Sequence, residues 1–265
     1  MGWFAPRCPV AANEQQWIDD NLRWCVAEFG DAWLRSPVVL PTDQFFPGAY
    51  TGSAEDLHRA VRRVCGYLAV DPERIRVELH GEQVAERALR ELTGGSFAWS
   101  GAAGHYRVTE GRTVISLEES LGRRPLALIA TIAHELAHER LLGEERVDPD
   151  RPDQEPLTDL VTVYLGFGVF TANAALEFSG DHTGWSASRL GYLTEPMYGY
   201  ALARYAWLRA EPDPSWARYL DTNPRTYLRR GLRFLRRSGV PLGLRRPGPE
   251  AAGPGSGARE PSPLG

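Results

Sequence analysis

The chain has 265 residues, is 43% hydrophobic and 24% charged, and carries a formal net charge of −4. Such a length leaves room for one or two domains with a sizeable core, and the balance of apolar and charged residues is that of an ordinary soluble globular protein. The slight acidity speaks against nucleic acid as a partner. All 30 basic residues are arginine, which with abundant Ala, Gly and Pro fits a GC-rich bacterial genome. The cysteines, Cys8, Cys25 and Cys65, match no disulfide or zinc spacing. The opening Met1-Gly-Trp-Phe-Ala-Pro-Arg7 lacks a basic segment followed by an apolar run, and no stretch is long and apolar enough to span a membrane. These features together predict a reduced, cytoplasmic protein with no membrane attachment.

The first third, to about residue 70, reads as helical scaffold. Asn13 to Phe29 carries Trp17, Leu22, Trp24, Cys25 and Phe29 at amphipathic spacing. Pro37 to Pro41 reads as extended and Phe45 to Gly48 as a turn. Ser53-Ala-Glu-Asp56 has the form of a capping box and opens a helix whose Leu57, Val61, Val64 and Leu68 share a face. A short strand, Ile75 to Leu79, and a helix over Glu82 to Leu92 follow. Ser100 to Gly104 is rich in small residues suited to a rim. His105 to Thr109 and Thr113 to Leu117 then form a pair of β-branched runs around a Gly-containing link, the pattern of a hairpin.

Pro125 to Gly143 reads as one helix. Pro125 suits its first turn, Gly143 its C′ position, and Leu128, Ile132 and Leu136 form a buried stripe. Within it, residues 134 to 138 are His-Glu-Leu-Ala-His, an H-E-x-x-H pattern. Positions i and i+4 lie one above the other on a helix, so His134 and His138 can aim their ring nitrogens at one metal ion. Glu135 sits beside them, where its carboxylate can act on a water held by that ion.

A catalytic zinc site takes three protein ligands and keeps a fourth position open. Glu155 stands where the chain has had room to return a second helical run, Leu157 to Phe170, beside the first. It is the expected third ligand, with Asp148, Asp150, Asp153 and His182 as alternatives. Asp159 lies one turn beyond Glu155, placed to accept a hydrogen bond from a ligand imidazole and so fix its tautomer.

His134, Glu135, His138, Glu155 and Asp159 together resemble the motif pair of the gluzincins, the thermolysin-like clan of zinc metallopeptidases, over about residues 100 to 175. The resemblance implies one zinc ion per chain, held by His134, His138 and Glu155, with Glu135 as general base and Asp159 behind a ligand histidine. It also implies that an edge strand beside the metal helix holds extended substrate. A Tyr or His outside the ligand set would stabilise the oxyanion, for which Tyr198, Tyr200 and His182 are the candidates.

Asn173 to Gly191 reads as a loop-rich rim. Thr194 to Leu208 reads as a helix with Pro196 in its first turn. Asn223 to Arg237 reads as a helix with Leu228, Leu232 and Leu235 docked and its arginines solvated. The stretch 241–265 is Pro/Gly-rich and reads as a disordered tail. The expected fold is α+β and zincin-like, one domain over 1–240, with a small, mostly antiparallel sheet packed on the H-E-x-x-H helix and further helices around it. The expected function is zinc-dependent hydrolysis of peptide or protein substrates. The alternative is a catalytically silent zinc-binding regulatory or interaction protein on a peptidase fold.

Overall fold

A computed structural model describes residues 7–81, 104–109, 112–180 and 192–244. Seven α-helices lie among these residues: α1 (Ala12–Phe29), α2 (Ala54–Leu68), α3 (Pro125–His138), α4 (Gln154–Tyr164), α5 (Gly168–Gly180), α6 (Glu195–Leu208) and α7 (Thr222–Arg237). With them are three strands, β1 (Ile75–His80), β2 (Gly104–Thr109) and β3 (Arg112–Glu118). The class is therefore α+β. The expected helix over 82–92, residues 100–103 of the small-residue stretch, most of the loop-rich rim with His182, and the tail from 245 onward lie outside the described residues.

The chain divides into two units, each discontinuous in sequence. One comprises Met1–Leu40, Asp150–Ala175 and Thr183–Gly265, and the other Pro41–Pro149 and Leu176–His182. The second unit holds the sheet, in the order β1-β3-β2. β2 and β3 pair antiparallel, with Tyr106 opposite Ile115 and Val108 opposite Thr113, as the hairpin pattern predicts. β1 pairs parallel to β3, Ile75 opposite Thr113 and Leu79 opposite Leu117, so the sheet is mixed rather than mostly antiparallel. The chain between β1 and β3 explains this. A parallel pair needs a crossover of a dozen residues or more, and residues 81–111 are long enough to supply one.

Because side chains alternate across a strand, Tyr106, Thr113, Ile115 and Leu117 share one sheet face. On the opposite face Arg107 reaches across β3, donating to Ser116 Oγ at 2.9 Å and pairing with Glu78 of β1. α3 packs against β2 and α2. The α2 capping box forms as expected: Ser53 Oγ accepts the Asp56 amide at 3.3 Å, and Asp56 accepts the Ser53 amide at 3.3 Å. Leu57, Val61, Val64 and Leu68 are all buried.

Two helix ends depart from the sequence reading. Past His138, α3 continues as a π-helical turn over Glu139–Gly143, closed by the Glu144 amide on the Glu139 carbonyl at 3.0 Å. Gly143 is the last residue of that turn rather than a left-handed cap; the left-handed residue is Glu145, φ 54°. The run expected over 157–170 breaks at 165–167 into α4 and α5. Gly166 takes φ 91°, and its carbonyl accepts the Val39 amide at 3.0 Å. That long-range bond rewards a break which local propensity alone does not require.

In the first unit α6 packs against α1, α4 and α7. The α6–α7 approach depends on glycine. A Cβ on Gly199 would collide with the Tyr227 Cβ and backbone, and one on Gly231 with the Ala203 Cβ. Leu228, Leu232 and Leu235 are buried and the helix presents Arg229, Arg230, Arg233, Arg236 and Arg237 outward, as the amphipathic pattern predicts. Gly199→Ala would gain about 1 kcal/mol of helix propensity, but backbone atoms of the neighbouring helix cannot swing aside, and overpacking costs about 1–3 kcal/mol. Net destabilisation of up to about 2 kcal/mol is expected in urea unfolding; a stabilised Gly199→Ala variant would refute this packing.

Candidate metal centre

From Ala127 to His138, α3 is buried on every face, as its Ala, Leu and Ile content dictates. The His-Glu-Leu-Ala-His segment is therefore set in the interior: His134 is 9% exposed, Glu135 5% and His138 4%. Polar groups this far from water need hydrogen-bond partners or a metal. One helical turn apart, the His134 and His138 rings have centroids 4.9 Å apart and planes at 82°.

Glu155 lies in the first turn of α4, where the helix dipole favours an anion and where the following Pro156 is tolerated. It too is buried. His134, His138 and Glu155 each offer one ligand atom, and these atoms lie within 4.8 Å of one another. The donor set suits zinc: two imidazoles and a carboxylate are its usual partners, and tetrahedral bonds of about 2.0–2.2 Å set donor atoms roughly 3.4 Å apart. The cluster could hold a metal ion, and three protein ligands would leave a fourth position for water or substrate.

Among the alternatives for the third ligand, Asp148 and Asp150 are exposed. Asp153 is engaged elsewhere. It forms a buried ion pair with Arg151, with Nε to Oδ1 at 2.5 Å and Nη2 to Oδ2 at 3.0 Å, and accepts Trp17 Nε1 at 2.6 Å. His182 lies outside the described residues.

Asp159, one turn beyond Glu155, is 3% exposed and accepts the Leu193 amide at 3.0 Å. Its carboxylate also meets the Tyr198 hydroxyl, which Thr171 contacts as well. Burial, then the Asp159 charge, pushes the Tyr198 hydroxyl well above its usual range. Tyr200 is fully buried, and its hydroxyl lies 3.2 Å from Asp19 Oδ1, which Arg204 Nε also meets at 2.6 Å. Both phenols considered as oxyanion donors thus have intramolecular carboxylate partners.

Two residues given no role in the sequence reading stand at the His138 end of α3. The Tyr106 ring lies against the His138 ring, with centroids 5.6 Å apart and planes 31° from parallel. Glu139, 1% exposed, receives the Thr113 hydroxyl, lies 3.0 Å from Arg74 Nη2, and meets the Tyr106 hydroxyl at 3.4 Å. Burial pushes the Tyr106 hydroxyl up to about 12, so at neutral pH it is protonated and able to donate. The sequence signal for Glu139 was a charge continuing an apolar helix. Tyr106 could be found only from the β2–β3 register.

No family model, curated protein or solved structure matches this chain. Among the described residues, no helix is long and apolar enough to cross a membrane.

Proposed function

We propose that this chain is a zinc-dependent hydrolase, a metallopeptidase built on a gluzincin-like, zincin-type plan. The observation that carries the reading is the buried His134, His138 and Glu155 cluster with Glu135 on the same helix turn as its two histidines. A closed structural site has no use for a carboxylate beside its ligands, whereas hydrolysis needs a base there. Zinc held by the three ligands would supply Lewis acidity toward a substrate carbonyl and would acidify water at the open position.

The chain's own groups do the rest. Glu135 takes the proton of the attacking water and returns it to the leaving amine, so one carboxylate serves as base and then as acid. In the gluzincin pattern Asp159 accepts a ligand imidazole N–H, in addition to the Leu193 amide it accepts here. β2 pairs only with β3 among the described residues, and its free edge suits main-chain pairing with an extended peptide. The oxyanion role is assigned to neither Tyr198 nor Tyr200.

Metal content by mass spectrometry tests the site. Wild-type protein is expected to carry about one zinc per chain, and His134→Ala and Glu155→Ala to lose it. Zinc retained in Glu155→Ala would move the third ligand elsewhere. No zinc in the wild type, even after it is added back, would remove the basis for the proposal.

A further inference from the structure

We infer that Tyr106 is a positioning residue for the His138 imidazole, braced by the buried carboxylate of Glu139. The inference rests on the reading of His138 as a metal ligand. A helix sets where the His138 Cα–Cβ bond points, but it does not set the ring. The terminal torsion of histidine is broad, whereas a metal ligand must be held within about 10–20° of its productive direction. The tilted Tyr106 ring, its centroid 5.6 Å from that of the imidazole, packs against it and limits that rotation.

Tyr106 is itself restrained. It is on β2, opposite Ile115, and shares a sheet face with Thr113, whose hydroxyl donates to Glu139. Glu139 meets the Tyr106 hydroxyl and is neutralised by Arg74, which also donates to the Gly143 carbonyl at 3.4 Å. Gly143, at the end of the π-helical turn, makes room for this carboxylate, since any Cβ there would occupy the same space. Burying a carboxylate is costly until its partners offset the lost hydration, and an apolar residue would fill a plain core more readily. A π-turn, a glycine, an arginine and a threonine converge on one carboxylate adjoining a ligand histidine. That convergence indicates a brace rather than filler.

The test uses full-length protein loaded with Co²⁺, whose visible bands report ligand geometry, and zinc affinity measured by chelator competition. Tyr106→Leu is expected to weaken zinc binding by about 10-fold or more and to shift or broaden the cobalt bands. Tyr106→Phe, which keeps the ring, should recover most of the affinity and the wild-type band positions. Should Tyr106→Leu fail to fold, Tyr106→Ile, a better strand former, takes its place with the same expected result. A Leu or Ile variant that loses thermal stability yet keeps wild-type affinity and bands would overturn the positioning role alone. Wild-type protein that binds neither ion would overturn the metal reading and this inference with it.

Discussion

Glu135→Gln is expected to keep the wild-type complement of zinc and to lose peptide hydrolysis by about 10²–10⁴-fold. The substitution preserves size and burial, and the interior position of Glu135 on α3 argues that the fold tolerates a neutral amide there. What it removes is a group that can accept a proton and give it back. The assay is turnover of a peptide library alongside metal content, so that activity and occupancy are read from one preparation. Full activity in Glu135→Gln would refute the role given to this carboxylate. Full zinc with no hydrolysis in the wild type itself would favour a metal-binding protein without turnover.

The second large effect is on stability. Asp153→Ala is expected to destabilise the fold by about 3–5 kcal/mol in urea unfolding, because it removes the buried carboxylate that pairs with the Arg151 guanidinium. Both side chains of this pair are 3% exposed. Trp17 Nε1 loses its Asp153 acceptor at the same time, while the Arg151 contact with Asn21 Oδ1, at 3.3 Å, is kept. Replacing both partners, as in Arg151→Met with Asp153→Leu, should cost much less, since neither charge is then stranded. Zinc content should be unchanged in Asp153→Ala, because this carboxylate serves Arg151 rather than the metal cluster. A loss below about 1 kcal/mol, or a loss of zinc, would contradict that account.

The two expectations differ in how readily they could be drawn from residue order. The role proposed for Glu135 rests on five consecutive residues and the pitch of a helix. The role of Asp153 does not. Its position in an acidic loop made it a reasonable alternative ligand, and only the return of α1, with Trp17 and Asn21, shows what it does. Tyr198 and Tyr200 illustrate the same point. Their place on a helix after the metal motif made them candidates for oxyanion donors, while the structure pairs their hydroxyls with Asp159 and Asp19.

Sequence alone determined the elements whose causes are local. The α2 capping box, the β2–β3 hairpin, Pro125 at the start of α3 and the two histidines on one face of that helix each depend on residues a few positions apart. Tertiary structure decided whatever depends on distant partners. It set the parallel pairing of β1, the break at Gly166 that satisfies the Val39 amide, the burial of Asp153 against Arg151 and Trp17, and the placing of Tyr106 on His138 with Glu139 behind it. The reason is physical. Caps and helical faces are set by hydrogen bonds and side-chain spacing within a turn or two, whereas the use of a buried charge is set by whichever partner the folded chain brings within about 3 Å.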